Sequence, residues 1–252
     1  MHPGHRIVAM KRSVELVILL ALLTAMASAS AAPAAATPGT GINATFARLF
    51  GAHTAFTARA NVLVAARDKT GMPMEVALSG SRLRMEVTLT SIRVNGQPQP
   101  GAEMFKSLGL DRIITVSRFD EKKSLVIVPG MKAIVDTPMP EEEADSLSGE
   151  AKVEFIEVGK ETIAEHPCVR SRFVITDPKG RKREGTVWKA TDLKEFPVQI
   201  LMLESESQMI LRFSDIKFDS PASHLFAVPA GYKPYQDMSE LMAAALSRSQ
   251  SK

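Results

Sequence analysis

The residues with chemistry to offer downstream of residue 29 are His53, His166, His224 and the lone Cys168, and they are scattered. His166 and Cys168 stand two apart, the spacing at which a base and a thiol share one face of a regular strand. Pro167 between them implies a bend, so the pair reads as structural, and Cys168 reads as a buried, inert thiol. Asp111, Asp120, Asp192 and Asp215 adjoin strand-like runs and read as turn residues. Glu141, Glu142, Glu143 and Asp145, between Pro138 and Glu150, lack the loop spacing that cages calcium and read as a solvated loop. No H-E-x-x-H, G-x-S-x-G, P-loop or C-x-x-C pattern occurs. The expectation is therefore a protein without catalytic residues, metal site or cofactor; a hydrolase would need carboxylates brought face to face by the fold.

Methionine is the remaining signal, with 13 in the chain. Met72, Met74, Met85, Met104, Met202 and Met209 all occupy apolar positions, where a flexible, polarizable thioether suits either core filling or contact with varied apolar partners. The candidate ligand-binding residues are Met74, Val76, Met85 and Val87, with Met104 and Phe105 as lid contacts. The same side chains equally suit a filled core, and a true ligand site requires at least about 300 Å³.

The elements that must position these residues are mostly strands. Over 72–90, Met72, Met74, Val76 and Leu78 alternate with polar or small residues, as do Leu83, Met85, Val87 and Leu89. A type II′ turn at Gly80-Ser81 pairs Leu78 with Leu83, Val76 with Met85, Met74 with Val87 and Met72 with Leu89, all on one face. That register sets Glu75 opposite Glu86, a like-charge pair that a diagonal Arg84 offsets. Further strands are predicted at 112–119, 124–129, 152–158, 168–176, 183–190, 198–203 and 208–218. Turn signals stand at Asp120-Glu121-Lys122-Lys123, Gly159-Lys160, Asp177-Pro178-Lys179-Gly180 and Glu204-Ser205-Glu206. The basic residues Lys179, Arg181, Lys182 and Arg183 read as a solvated turn, with anionic headgroups as the alternative contact, and Trp188 reads as core. Helical spacing occurs at 43–50, 102–108 and 237–246, the last opened by an Asp237/Glu240 capping box.

Compartment comes from the first residues. Lys11-Arg12, an apolar run over 14–26 and Ala27-Ser28-Ala29 read as a secretory signal over 1–29, with Met10 as the start. The run is too short to span about 30 Å of hydrocarbon, and no cysteine for lipid attachment follows it. Residues 30–42 read as a disordered lead-in, 43–236 as one β domain, and 237–252 as an amphipathic helix and tail. Cleavage removes Arg6, Lys11, Arg12 and Glu15, leaving 28 basic against 27 acidic residues, a net charge of +1. Nucleic acid is thereby an unexpected partner. One cysteine permits no internal disulfide, so the core must carry stability.

Several strings fall in order along most of the mature chain: Arg84-Met85-Glu86-Val87; Gly159-Lys160-Glu161-Thr162 leading to His166-Pro167-Cys168; Val187-Trp188-Lys189-Ala190-Thr191-Asp192-Leu193; and Leu225-Phe226-Ala227-Val228-Pro229-Ala230-Gly231-Tyr232-Lys233. On these the chain resembles a bacterial family of unknown function (DUF4412-like) in the LolA/LolB-like superfamily of envelope proteins. The resemblance implies a mainly β fold, a strongly curved antiparallel sheet forming an incomplete barrel, with helices over an apolar concave face that accepts acyl chains. An arginine switch motif of the lipoprotein carriers is not found, so lipoprotein carriage is not carried over. The expectation is a soluble, periplasmic, non-catalytic protein that binds a lipid or other apolar molecule. The alternative is an envelope sensor or scaffold that binds a protein partner through a sheet edge or the C-terminal helix.

Overall fold

The computed structural model describes residues 47–65, 69–147, 151–204 and 207–250, all within a unit that spans Gly41–Lys252. The expected signal, the lead-in, residues 43–46 of the first helix and the Ser205-Glu206 turn lie outside the described residues.

Period-two alternation becomes one long sheet. Its strands are β1 (Ala55–Ala65), β2 (Lys69–Ser79), β3 (Arg82–Thr88), β4 (Arg93–Val94), β5 (Gln97–Pro98), β6 (Arg112–Arg118), β7 (Lys123–Val128), β8 (Ala133–Pro138), β9 (Lys152–Ile163), β10 (His166–Thr176), β11 (Lys182–Ala190), β12 (Phe196–Glu204), β13 (Ser207–Lys217) and β14 (Lys233–Tyr235). Residues 47–49 are helical, and the helices that lie wholly within the described residues are α1 (Ala102–Ser107), α2 (Glu141–Leu147) and α3 (Met238–Gln250). The order β14-β8-β7-β6-β3-β2-β1-β13-β12-β11-β10-β9 does not close on itself, so the sheet is an open, curved one of the incomplete-barrel kind. Two antiparallel meanders meet where β1 pairs with β13, and only β14 runs parallel to its neighbour, β8.

The first hairpin has the expected register. Leu78 faces Leu83, Val76 faces Met85 and Met74 faces Val87, and Gly80 takes a positive φ while Ser81 does not, the type II′ pattern. The fourth pair does not form, because β3 ends at Thr88 and Leu89 begins a 3-10 turn; Met72 pairs instead with Val62 of β1.

Three local expectations change. Gly159-Lys160 is not a turn: β9 runs through it with a bulge opposite Arg170/Ser171, and the chain reverses at Ala164-Glu165, both with positive φ. Residues 138–150 are not simply a loop, since α2 forms after Pro140, whose carbonyl accepts from the N–H of Glu143 and Ala144 at 3.0 Å each. The basic turn after β10 is not free in solvent: Lys179 pairs with Glu141 at 2.5 Å and Asp145 at 3.1 Å, and Arg181 pairs with Asp145 at 2.9 Å and Asp177 at 2.5 Å.

Each face of the sheet carries a buried cluster. Its inner face carries Phe56, Val76, Leu78, Leu83, Phe173, Ile200, Leu211 and Phe213, against which Leu49 and Phe50 pack. Phe50 lies 4.7 Å from Phe56 and 5.6 Å from Phe213 between ring centroids, both edge-on, the arrangement ring quadrupoles favour. On the outer face Ala77, Ile114, Val116, Leu125 and Ile127 lie under Phe226 of the 3-10 turn Ser223–Phe226. Arg84 ties that turn down, its Nε donating to the Leu225 carbonyl at 3.0 Å.

Candidate functional site

The hairpin register brings Met74, Val76 and Met85 together with Phe50, Leu83, Leu211 and Phe213 around a crevice of about 10 Å³. That is room for about one water-sized sphere. Val87 pairs with Met74 but does not line the crevice. Met104 and Phe105 lie apart from it on α1, which packs against the 3-10 turn Leu89–Ser91; Phe105 is buried, whereas Met104 is 53% exposed.

A much larger space lies on the outer face of the same strands. Leu63 faces Gly71 across β1 and β2 and Ile210 across β1 and β13, and with Asn61, Val64 and Pro73 they line an open groove of about 560 Å³. Its other side is Ser91, Arg93 and Gly96, where the two-residue strand β4 pairs with β2. The Asn95-Gly96 turn, both residues at positive φ, fixes that wall: Asn95 N–H donates to the Lys69 carbonyl at 2.7 Å, and Lys69 N–H donates back to Asn95 Oδ1 at 3.0 Å. Gly71 keeps the floor open. A Cβ there would sit 3.6 Å from Leu63 Cδ2, an ordinary contact, and any longer side chain would project into the groove. Sequence reading missed this site because its lining is non-local: Phe56, Ala58, Ala60 and Val62 alternate with Thr57, Arg59 and Asn61, which marks a strand but not the Arg93 and Ile210 segments that meet it.

The groups with chemical potential are neutralised elsewhere. Cys168 is buried and its Sγ donates to the His166 carbonyl at 3.2 Å; burial pushes its pKa up, with nearby Asp192 and Glu161 adding to the effect. The His166 imidazole turns instead to Asp192, Nδ1 to Oδ2 2.8 Å, so no base faces the thiol. His53 donates through Nε2 to the Lys194 carbonyl at 2.9 Å and stacks on Phe218. Trp188 donates through Nε1 to Glu161 at 2.7 Å, in keeping with its burial. Burial pushes Glu86 up, but hydrogen bonds and charge from Arg112 and Arg84 outweigh it and hold the carboxyl below its ordinary value. Among the described residues, no group of three or more His, Cys, Asp or Glu is placed to hold a metal ion.

Two surfaces bear on partners. The outermost strand β9 pairs only with β10 and exposes Phe155, Ile156 and Val158. The C-terminal helix α3, by contrast, buries Met238, Leu241 and Ala245 on its own unit and leaves Leu246 exposed. Asp237 Oδ1 caps the Glu240 N–H at 2.8 Å, and Glu240 reaches back one residue further than a standard box, accepting from Gln236 N–H at 2.7 Å.

No known sequence family and no curated protein matches this chain. Solved structures do resemble it in fold. An uncharacterized conserved protein from Thermus thermophilus is 14% identical, with 77% of this chain covering 99% of that one at a TM-score of 0.44. A LolA superfamily protein from Nitrosomonas europaea is 11% identical over 71% of this chain and 93% of its own, with a TM-score of 0.38. The lipoprotein LppX of Mycobacterium tuberculosis is 14% identical over 73% and 93%, with a TM-score of 0.36. These are likenesses of sheet architecture at low identity, and the chemistry must be read from this chain's own residues.

Proposed function

We propose that this protein is an exported, periplasmic, non-catalytic binder of an apolar molecule, held in the groove between β1, β2, β13 and the Asn95-Gly96 turn. One observation carries the reading: the groove, at about 560 Å³, falls in the range of small-molecule sites and combines an apolar floor with a few polar groups at its margin. The polar clusters described above hold their partners and leave no activated nucleophile or base among the described residues, which favours binding over catalysis.

The inner-face seam of Met74, Val76, Met85 and Val87 is the second place an apolar ligand could reach, after displacement of Phe50. Uptake of 1-aminoanthracene, followed by fluorescence, tests both. Gly71→Leu should reduce uptake at least ten-fold if the groove is the site, whereas Met85→Trp should do so if the seam is. A protein that takes up no probe, and from which native mass spectrometry releases no lipid, contradicts the proposal.

The exposed apolar side chains of β9 favour one alternative, strand addition by a protein partner. Ile156→Lys should then abolish a purified partner's binding and leave probe uptake unchanged. Among the described residues no helix is long and apolar enough to cross a membrane.

A further inference from the structure

The groove is apolar along one side and cationic along the other. Leu63, Pro73 and Ile210 give it hydrocarbon, while Lys69 and Arg93 are its only charged lining residues among those described, with no carboxylate among the described lining. The two cations are brought to one end by pairing: Gly71 faces Arg93 and Thr70 faces Val94, so the residue preceding Thr70, Lys69, stands beside the same turn. Neither enters an ion pair among the described residues. Arg93 Nη1 instead donates to the Thr90 and Ile92 carbonyls, both at 3.0 Å, contacts that orient a guanidinium without neutralising it.

We infer that the groove takes a single-chain amphiphile with an anionic head, its alkyl chain on Leu63, Pro73 and Ile210 and its head between Lys69 and Arg93. This rests on the reading of the groove as an apolar-ligand site and names the ligand class. An exposed Lys/Arg pair with no ion pair among the described residues favours a carboxylate or a phosphate, and a guanidinium matches either with paired N–H donors. The floor contributes by burial, about four-fold in affinity per methylene removed from water. The shared chemistry is the anion, and a free fatty acid or a lipid phosphate could each supply it.

Calorimetric titration of the purified full chain with decanoate, decyl phosphate and neutral decanol tests this. Decanoate or decyl phosphate should bind at least ten-fold more tightly than decanol, and whichever anion binds more tightly identifies the source of the head. Lys69→Gln/Arg93→Gln should erase the preference while decanol binding persists, and raised salt should weaken only the anions. Gly71→Leu should abolish binding of all three; if that variant does not fold, Ser91→Phe at the opposite wall should serve. Equal affinity for decanol and decanoate, or a preference that survives the double substitution, overturns the inference but leaves apolar-ligand binding standing. Binding unaffected by the groove-filling variant also overturns it. Failure of all three ligands overturns the inference in either case; if 1-aminoanthracene is still taken up, the underlying reading survives, and if it is not, that reading fails too.

Discussion

Glu86 shows how a charge conflict built into a hairpin is turned to use. The register forces Glu75 opposite Glu86, yet Arg84 reaches Glu86 at 2.5 Å along its own strand and Arg112 reaches it from β6. Hydrogen bonds to charged groups of this kind contribute about 1.5–3 kcal/mol each, more than the few tenths that a like-charge cross-strand pair costs. The folded pKa of Glu86 is depressed, so on acidification the unfolded chain protonates first. The contribution is therefore complete above the unfolded value, near pH 4.3, and is lost as pH falls through the folded one. Urea midpoints should fall as pH drops below about 5, and Glu86→Gln should remove part of that slope while costing about 1.5–3 kcal/mol at pH 7. Cys168 makes a second prediction at this scale. A buried thiol with a raised pKa reacts only after opening, so Ellman's reagent should modify the native protein on the order of 100-fold more slowly than the urea-unfolded chain. Comparable rates would mean that the β9–β10 end opens freely.

Elements were legible where the physics is local. The alternation over 72–88 fixes one face, and with it three of four cross-strand pairs and the Glu75–Glu86 conflict. Gly159 misleads because a glycine inside a strand can mark a bulge as easily as a turn, while Ala164-Glu165 carries no turn chemistry that composition would flag. Helix α2 is hidden for a different reason: the cations that hold its acidic residues, Lys179 and Arg181, lie more than 30 residues away, at 36 positions between Asp145 and Arg181. Gly185 makes the element-scale prediction. Within β11 it faces Phe173, and an added Cβ would sit 2.6 Å from that ring and 2.3 Å from the Leu201 carbonyl oxygen of β12. The glycine is there for space between strands, not for its φ. Gly185→Ala should therefore cost about 1–3 kcal/mol, the range for overpacking a filled site, read as a lower urea midpoint. An unchanged midpoint would mean that the β10–β12 region repacks at little cost.

At the scale of the whole molecule, both candidate sites are non-local. The groove draws on residues near 61–73, 91–96 and 210, joined only because β1 bridges the two meanders, and no window of sequence contains it. The seam was legible in part, since its Met74, Val76 and Met85 share one hairpin, but what fills it was not: Phe50 arrives from before β1 and meets Phe56, Phe196 and Phe213. The N-terminal aromatic thus occupies the space that an incomplete barrel would otherwise leave at this seam. Phe50→Ala should cost about 3–5 kcal/mol through lost burial and the cavity left behind, measured by urea unfolding. If the surrounding sheet holds its shape, the variant gains an apolar void joined to the Met74/Met85 crevice, and benzene should raise its melting temperature while leaving the parent's unchanged. If the void collapses instead, benzene will have no effect and the loss of stability will fall toward the low end of that range. The first outcome makes the inner face an apolar compartment with Phe50 as its resident occupant; the second makes it core, leaving the outer groove as the place for a ligand.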